Sequence, residues 1–249
     1  MDPDREFDAL RPLGGFFVLR TATAADGPCP GRLPTLAQAY APVAPDAHGH
    51  PLAARVRTVA DRIGAPEPRV AASVAHQALA ARLWSVALGC AALHGRLPDL
   101  DPGLLRWDPD ATAPDDLWLT EVRRPPAGAR TLADAVLHGH LEPLGESLRA
   151  RYGIAAGLLR GNAASALAAT ARELDRWARV NRRTEVAERA RARTAELFAH
   201  PLLRTTGTRA GLAFRRRSCC LYYRVPGGGV CADCCFPRPP RSSPRAASG

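Results

Sequence analysis

Val70-Ala71-Ala72-Ser73-Val74-Ala75-His76-Gln77-Ala78-Leu79-Ala80-Ala81-Arg82-Leu83-Trp84-Ser85-Val86-Ala87-Leu88-Gly89-Cys90-Ala91-Ala92 decides the fold. Val70, Val74, Ala78, Ala81, Trp84, Leu88 and Ala92 recur at spacings of three and four, the period of one helical face. The apolar run from Trp84 to Leu93 falls short of the ~20 residues that span a bilayer, so this is a buried helix of a globular core. Gly95 and Pro98 end it, and Pro66 and Pro68 separate it from an earlier helix marked by Leu52, Val56, Val59 and Ile63. His76 and Cys90 lie in or near the stripe. A lone histidine there is read as a satisfied core residue, and Cys90 as a small core hydrophobe.

Working outward, two further helices are expected, from Ile154 to Val180 and from Glu185 to His200, the latter stopped by Pro201. Leu159, Ala163, Ala166, Thr170, Leu174 and Trp177 form the buried side of the first. Asn162 sits on or beside that side, as a polar group at a helix crossing or as a hydrogen-bonding group near a cofactor. Another helix opens at Thr131-Leu132-Ala133-Asp134 with a cap signature. It carries His138 and His140, whose spacing of two places them on different faces and argues against a shared metal. Strands are expected at Gly14–Leu19, at Leu104–Trp107 and at Leu117–Val122, the last two as a hairpin. A short helix over 1–12 precedes them, and Thr205–Phe214 reads as extended. The fold class is α+β and predominantly helical. It divides into a helical body with a few short strands over 1–204, a cysteine-rich cluster-binding segment over 205–236, and a disordered Pro/Arg/Ser-rich tail over 237–249.

The 249 residues carry a formal net charge of +10, and every Lys/Arg position is an arginine. Such a balance favours encounter with anions: nucleic acid, a lipid surface or an acidic redox partner. Most arginines are scattered on helix faces near Asp or Glu, which marks a solvated surface. Only Arg215-Arg216-Arg217 and the tail arginines cluster. The acidic start, Met1-Asp2-Pro3-Asp4-Arg5-Glu6, does not read as a secretory signal. A cytoplasmic protein is expected, with peripheral association at the inner membrane face left open.

Seven cysteines are present, and five fall between positions 219 and 235. In a reducing compartment such a cluster points to metal or redox chemistry, and an odd total suits full disulfide pairing poorly. Cys219-Cys220, ten residues, then Cys231-Ala232-Asp233-Cys234 offers four thiolates, the complement of an iron–sulfur cluster or a structural zinc. The C-x2-C pair alone serves either. The vicinal pair discriminates, because neighbours in a regular strand point to opposite faces. Their convergence needs a bent backbone, and a two-iron cluster is a wider target than one ion. Leu221-Tyr222-Tyr223-Arg224 reads as a short extended arm with aromatic cover, and Pro226-Gly227-Gly228-Gly229 as a reversal returning the chain to Cys231. Cys235 is read as a packing residue beside the ligands, with replacement of Cys234 as its alternative. Cys29, in a turn-rich loop, has no evident partner.

Ser218-Cys219-Cys220-Leu221-Tyr222-Tyr223-Arg224, the glycines, Cys231 and Cys234 together resemble the C-terminal signature of the FhuF-type ferric-siderophore reductases. His76–Trp84 and Gly161–Leu167 resemble that family's helical body more loosely. The resemblance implies a [2Fe–2S] cluster on Cys219, Cys220, Cys231 and Cys234. It also implies a cytoplasmic oxidoreductase that reduces Fe(III) in hydroxamate-type siderophores, with no catalytic residues beyond the ligands. The partners are then the ferric siderophore and an external electron donor: a flavoprotein, a ferredoxin or a small reductant. No dinucleotide fingerprint is present, since Gly227-Gly228-Gly229 precedes a cysteine pair and not a helix. Arg215, Arg216, Arg217 and Arg224 are candidates for docking the chelate or donor, or for tuning the cluster. Two rival readings have their own signatures. A zinc-stapled basic module binding nucleic acid or protein would be colourless, but it lacks a recognition motif, so no nucleic acid is expected. A siderophore-binding or export-coupled protein with a purely structural cluster would resist reduction.

Overall fold

The computed structural model describes residues 7–21, 32–42, 49–123 and 126–240. Cys29, residues 1–6 of the expected first helix and residues 241–249 of the expected tail lie outside them. After 3-10 turns at Arg11–Leu13 and Gly15–Phe17 comes β1 (Arg20–Thr21). Helices α1 (Leu36–Tyr40), α2 (Pro51–Ile63) and α3 (Pro68–His94) follow, then strands β2 (Leu105–Trp107) and β3 (Leu117–Leu119). Next are α4 (Ala129–Ala133), a π-helix (Asp134–Leu141), α5 (Glu142–Tyr152), α6 (Ala156–Val180) and α7 (Thr184–Phe198). A hairpin of β4 (Gly207–Ala210) and β5 (Ala213–Arg216) leads into the cysteine segment. Among the described residues no helix is long and apolar enough to cross a membrane.

Helix α3 is the axis of the core, buried almost all round as an α-helix must be when neighbours cover every face. Pro68 opens it, where a missing N–H costs nothing, and Gly95 closes it in the left-handed conformation. It runs alongside α6 in the same direction: Ser73 meets Asn162 at one end, and the Ser85 hydroxyl lies 3.2 Å from that of Thr170 further along. The interface is rich in small residues, Ala163, Ala164, Ala166 and Ala171 among them, so the two backbones approach closely. Gly89 admits the N-terminal segment, since a Cβ there would stand 2.9 Å from the Phe17 ring.

The sheet order is β1-β3-β2, with β1 parallel and β2 antiparallel to β3, so the expected hairpin forms and gains a third strand. Residues 14–19 do not form the expected strand. Gly15–Phe17 is a 3-10 turn, and pairing begins only at Arg20. Arg82 explains this. Its buried guanidinium donates to the Phe16 carbonyl at 2.7 Å and to that of Val18, and pairs with Asp116 at 2.9 Å. These bonds take carbonyls that a strand would have offered to a neighbour. The helix expected at Thr131 opens instead at Ala129, after Gly128 and without a side-chain cap. Its continuation widens to π geometry just before Pro143. A proline there can give no N–H to Gly139 and would press its ring on that carbonyl, and a widened turn relieves both. His138 and His140 do part company. His138 is exposed beside Glu142, whereas His140 is buried, accepts from the Tyr40 hydroxyl at 2.9 Å and donates to the Leu100 carbonyl at 2.6 Å.

Arg82→Ala should lower stability by about 3–5 kcal/mol, because it strands Asp116 and two carbonyls in the core; urea unfolding followed by helical circular dichroism reads it. Burial also holds two imidazoles neutral, lowering His76 to about 3 and His140 to about 4. Below the unfolded value of 6.5 the unfolded chain binds the extra protons, so stability is complete above pH 6.5 and is lost as pH falls. Between pH 6.5 and 5 each should cost about 2 kcal/mol, and His140→Gln should remove about half of that slope.

Candidate iron–sulfur centre

The site begins where β5 ends. In Ala213–Arg216 the side chains alternate, so Arg215 and Arg217 face solvent while Arg216 turns inward and is 2% exposed. Its guanidinium donates to the Ser218 carbonyl at 3.1 Å, Gln77 Oε1 at 3.1 Å, the Leu158 carbonyl at 3.3 Å and Asn162 Oδ1 at 2.5 Å. Asn162 uses its amide to donate to the Ser73 carbonyl at 2.9 Å, and the Ser73 hydroxyl donates to the Cys220 carbonyl at 2.7 Å. Arginine and asparagine thereby clamp the cysteine segment onto α3 and α6 together. Gly161 makes the approach possible: a Cβ there would stand 2.3 Å from the Ser218 hydroxyl and 3.1 Å from the guanidinium.

A second clamp holds the other arm. The Asp233 carbonyl accepts from the Arg216 N–H at 2.9 Å, and its buried carboxylate accepts from Ser165 at 2.7 Å and pairs with Arg172 at 3.1 Å. Asp233, Ser165 and Arg172 are functional positions that the sequence reading missed. An Asp inside C-x2-C was the available signal, since a buried carboxylate between two ligands must find donors elsewhere.

Between the clamps the chain leaves strand geometry. Leu221 sits in the left-handed region at φ 69°, and Tyr222–Arg224 forms a 3-10 turn, not the expected extended arm. The turn is the bend that vicinal cysteines require. It also puts Tyr223 edge-on to Phe236, which supplies the expected aromatic cover, while Arg224 pairs with Glu67 at the start of α3. The glycine reversal is tight. The Gly228 N–H donates to the Val225 carbonyl at 2.7 Å, and a Cβ on Gly228 would stand 2.7 Å from the Tyr222 carbonyl.

The sulfurs converge in pairs. Cys220 and Cys231 Sγ lie 3.5 Å apart across the loop. Two thiolates on one metal, at bonds of ~2.3 Å and a tetrahedral angle, stand ~3.8 Å apart, so this pair fits. Cys219 Sγ accepts from the Leu221 N–H at 3.2 Å, and Cys234 Sγ from the Phe236 N–H at 3.4 Å. Such bonds favour the charged thiolate. Hydrogen bonds from Cys219 and from Cys231 hold the Cys220 thiol far below its ordinary range, helped by the Arg216 charge. The same sharing raises Cys219 and Cys231, with burial adding to it. Burial, then the neighbouring Cys234, raises Cys235, whose carbonyl accepts from Arg215. None of the five is in a disulfide. Among the described residues no three His, Cys, Asp or Glu side chains surround one ion-sized point. Cysteine thiolates are the usual donors of an iron–sulfur cluster. When bound, such a cofactor supplies reversible one-electron transfer.

Arg215 and Arg217 remain exposed, whereas Arg216 is buried and cannot dock a partner; its charge is felt at Cys220, Cys231 and Cys235. Asn162→Ala should cost about 2–3 kcal/mol by stripping a buried cation of an acceptor, and it should lower iron and sulfide bound per chain. Asn181→Ala, at the exposed end of α6, should change neither by more than about a tenth; colorimetric iron and sulfide assays check both.

No curated protein matches the chain. Residues 216–236, from the buried arginine to the aromatic cover, match the family model described as the FhuF 2Fe-2S C-terminal domain. His76–Trp84 and Gly161–Leu167 lie outside the matched stretch. The C-terminal segment is thus similar to the [2Fe–2S]-binding domain of the FhuF type.

Proposed function

We propose that Cys219, Cys220, Cys231 and Cys234 bind the [2Fe–2S] cluster, and that the protein uses it to reduce Fe(III) held in siderophores, of the hydroxamate type by resemblance. The observation that carries this reading is the pairing of Cys220 with Cys231 within a segment that matches an iron–sulfur domain. Siderophores grip Fe(III) through hard oxygen donors, and Fe(II), with lower charge density, is held far more weakly. One electron therefore makes the complex labile. No nucleophile or proton relay is needed, so the chain's work is to hold the sulfurs near the surface and meet the chelate.

The exposure of the segment supports this. Cys219, Cys231 and Cys234 are half-buried, so a bulky chelate can come close without entering the core. Exposed Tyr222 and Val230 and the exposed cations Arg215 and Arg217 flank them. A buried guanidinium beside the sulfurs favours the more negative, reduced state. The electron donor is external, a flavoprotein, a ferredoxin or a small reductant, and a cytoplasmic setting keeps the thiols reduced.

Serine at position 219, 220, 231 or 234 should each abolish the stoichiometric cluster, whereas Cys235→Ser should retain it; absorption and electron paramagnetic resonance of anaerobically purified, dithionite-reduced protein distinguish them. The reduced wild-type protein should be reoxidised by ferric hydroxamates with release of Fe(II) to a ferrous chelator. A colourless, zinc-loaded protein, or a reduced cluster that no ferric chelate reoxidises, would sink the proposal.

A further inference from the structure

A cavity of about 120 Å³ opens between the π-helix, α5 and α6, about the size of a ~150 Å³ cavity that holds a benzene ring. Its walls are largely apolar, Leu137 and Leu141 from the π-helix and Leu159 and Ala163 from α6. His76, 1% exposed, also lines it, and its Nδ1, itself out of reach of solvent, has no hydrogen-bond partner among the described residues. The satisfied core histidine expected from the sequence is therefore buried but unsatisfied. Burial keeps the ring neutral, with Arg216 adding to the effect, so His76 brings no positive charge to the pocket.

The rim carries charge of both signs. Glu142 is bonded to His138 at 2.5 Å. Arg149 and Arg160 are exposed on the rim and make no ion pair among the described residues, and two acids, Glu142 and Glu146, share the rim with them. The net charge of +10 favours an anion as the occupant. A π-helix, a rare element that concentrates at functional sites, forms one wall.

We propose that this pocket binds a ring-sized organic anion, its carboxylate held by Arg149 and Arg160 and its apolar body set against Leu137, Leu141 and Leu159. The anion is a free aryl carboxylate or the carboxylate-bearing arm of a ferric chelate; the second source rests on the reductase reading. The pocket adjoins the cysteine clamp. Leu159 and Ala163 follow the two α6 residues that hold Arg216, and His76 lies between Ser73 and Gln77 on α3. Through Ser73 it is within roughly 10 Å of the Cys220 backbone, taking about 5–6 Å for neighbours three apart on a helix.

Calorimetric titration of the cluster-loaded protein with benzoate, benzamide and benzylammonium tests the proposal. Benzoate should bind more tightly than either isostere. Arg149→Gln with Arg160→Gln, both on the surface, should weaken it at least tenfold, and Ala163→Leu should abolish it by filling the cavity. Absence of benzoate binding, tighter binding of benzylammonium, or affinity untouched by the arginine changes would overturn the idea. Reoxidation of the reduced protein by a ferric chelate with a carboxylated arm separates the sources. Competition by benzoate supports the arm, and undiminished reoxidation with benzoate bound supports a free small anion. Benzoate binding in a protein that no chelate reoxidises would support the pocket and overturn the reductase reading.

Discussion

The structure depends on a guanidinium taken out of water. Removing a cation from solvent costs several kcal/mol, and the cost is offset only when nearly every N–H finds an acceptor of good geometry. Arg216 meets that condition with acceptors from three separate parts of the chain: Gln77 on α3, Leu158 and Asn162 on α6, and Ser218 in its own segment. No one of these parts could satisfy it alone. The need to bring them together places the cysteine segment across the two central helices, and the rest of the site follows from that placement.

Once the segment is anchored, the electrostatics of the sulfurs is largely determined. Four or five thiols crowded together cannot all ionise in the absence of compensating charge, since like charges oppose one another. Here hydrogen bonds shared with Cys219 and Cys231 lower Cys220, and the same sharing raises Cys219 and Cys231. A metal cofactor replaces those shared protons with larger positive charge. The buried arginine, felt at three of the cysteines, preorganises the site for an anionic cluster without moving when charge arrives.

Much of the body was legible because periodicity survives averaging over long elements. The spacing of Leu52, Val56, Val59 and Ile63 located α2, and the stripe from Val70 to Ala92 located α3. The failures are local and have physical causes. Phe16 and Val18 looked like a strand until Arg82, 66 and 64 positions away, claimed their carbonyls. Tyr222 and Tyr223 have strand propensity, but the left-handed Leu221 turns them into a helical turn, and no side-chain pattern announces that φ. In the site, the spacing of the cysteines carried the reading, and the structure added its supports. Arg215, Arg216 and Arg217 are indistinguishable as letters. Only the alternation of β5, fixed by Phe214 turning inward, decides that the middle one is buried.

The proposed electron transfer also calls for rigidity, because motion that accompanies a change of charge raises the barrier to the transfer. The segment itself is short and irregular, so it cannot be stiff on its own. Its stiffness is borrowed: Cys220 hangs from Ser73, Ser218 from Gly157, and Asp233 from Ser165 and Arg172. Each of these supports stands on a helix of many turns packed by small residues against its neighbour. Interiors of that density shift little on a local change. The large helical body is then explained as the frame that keeps an irregular loop still.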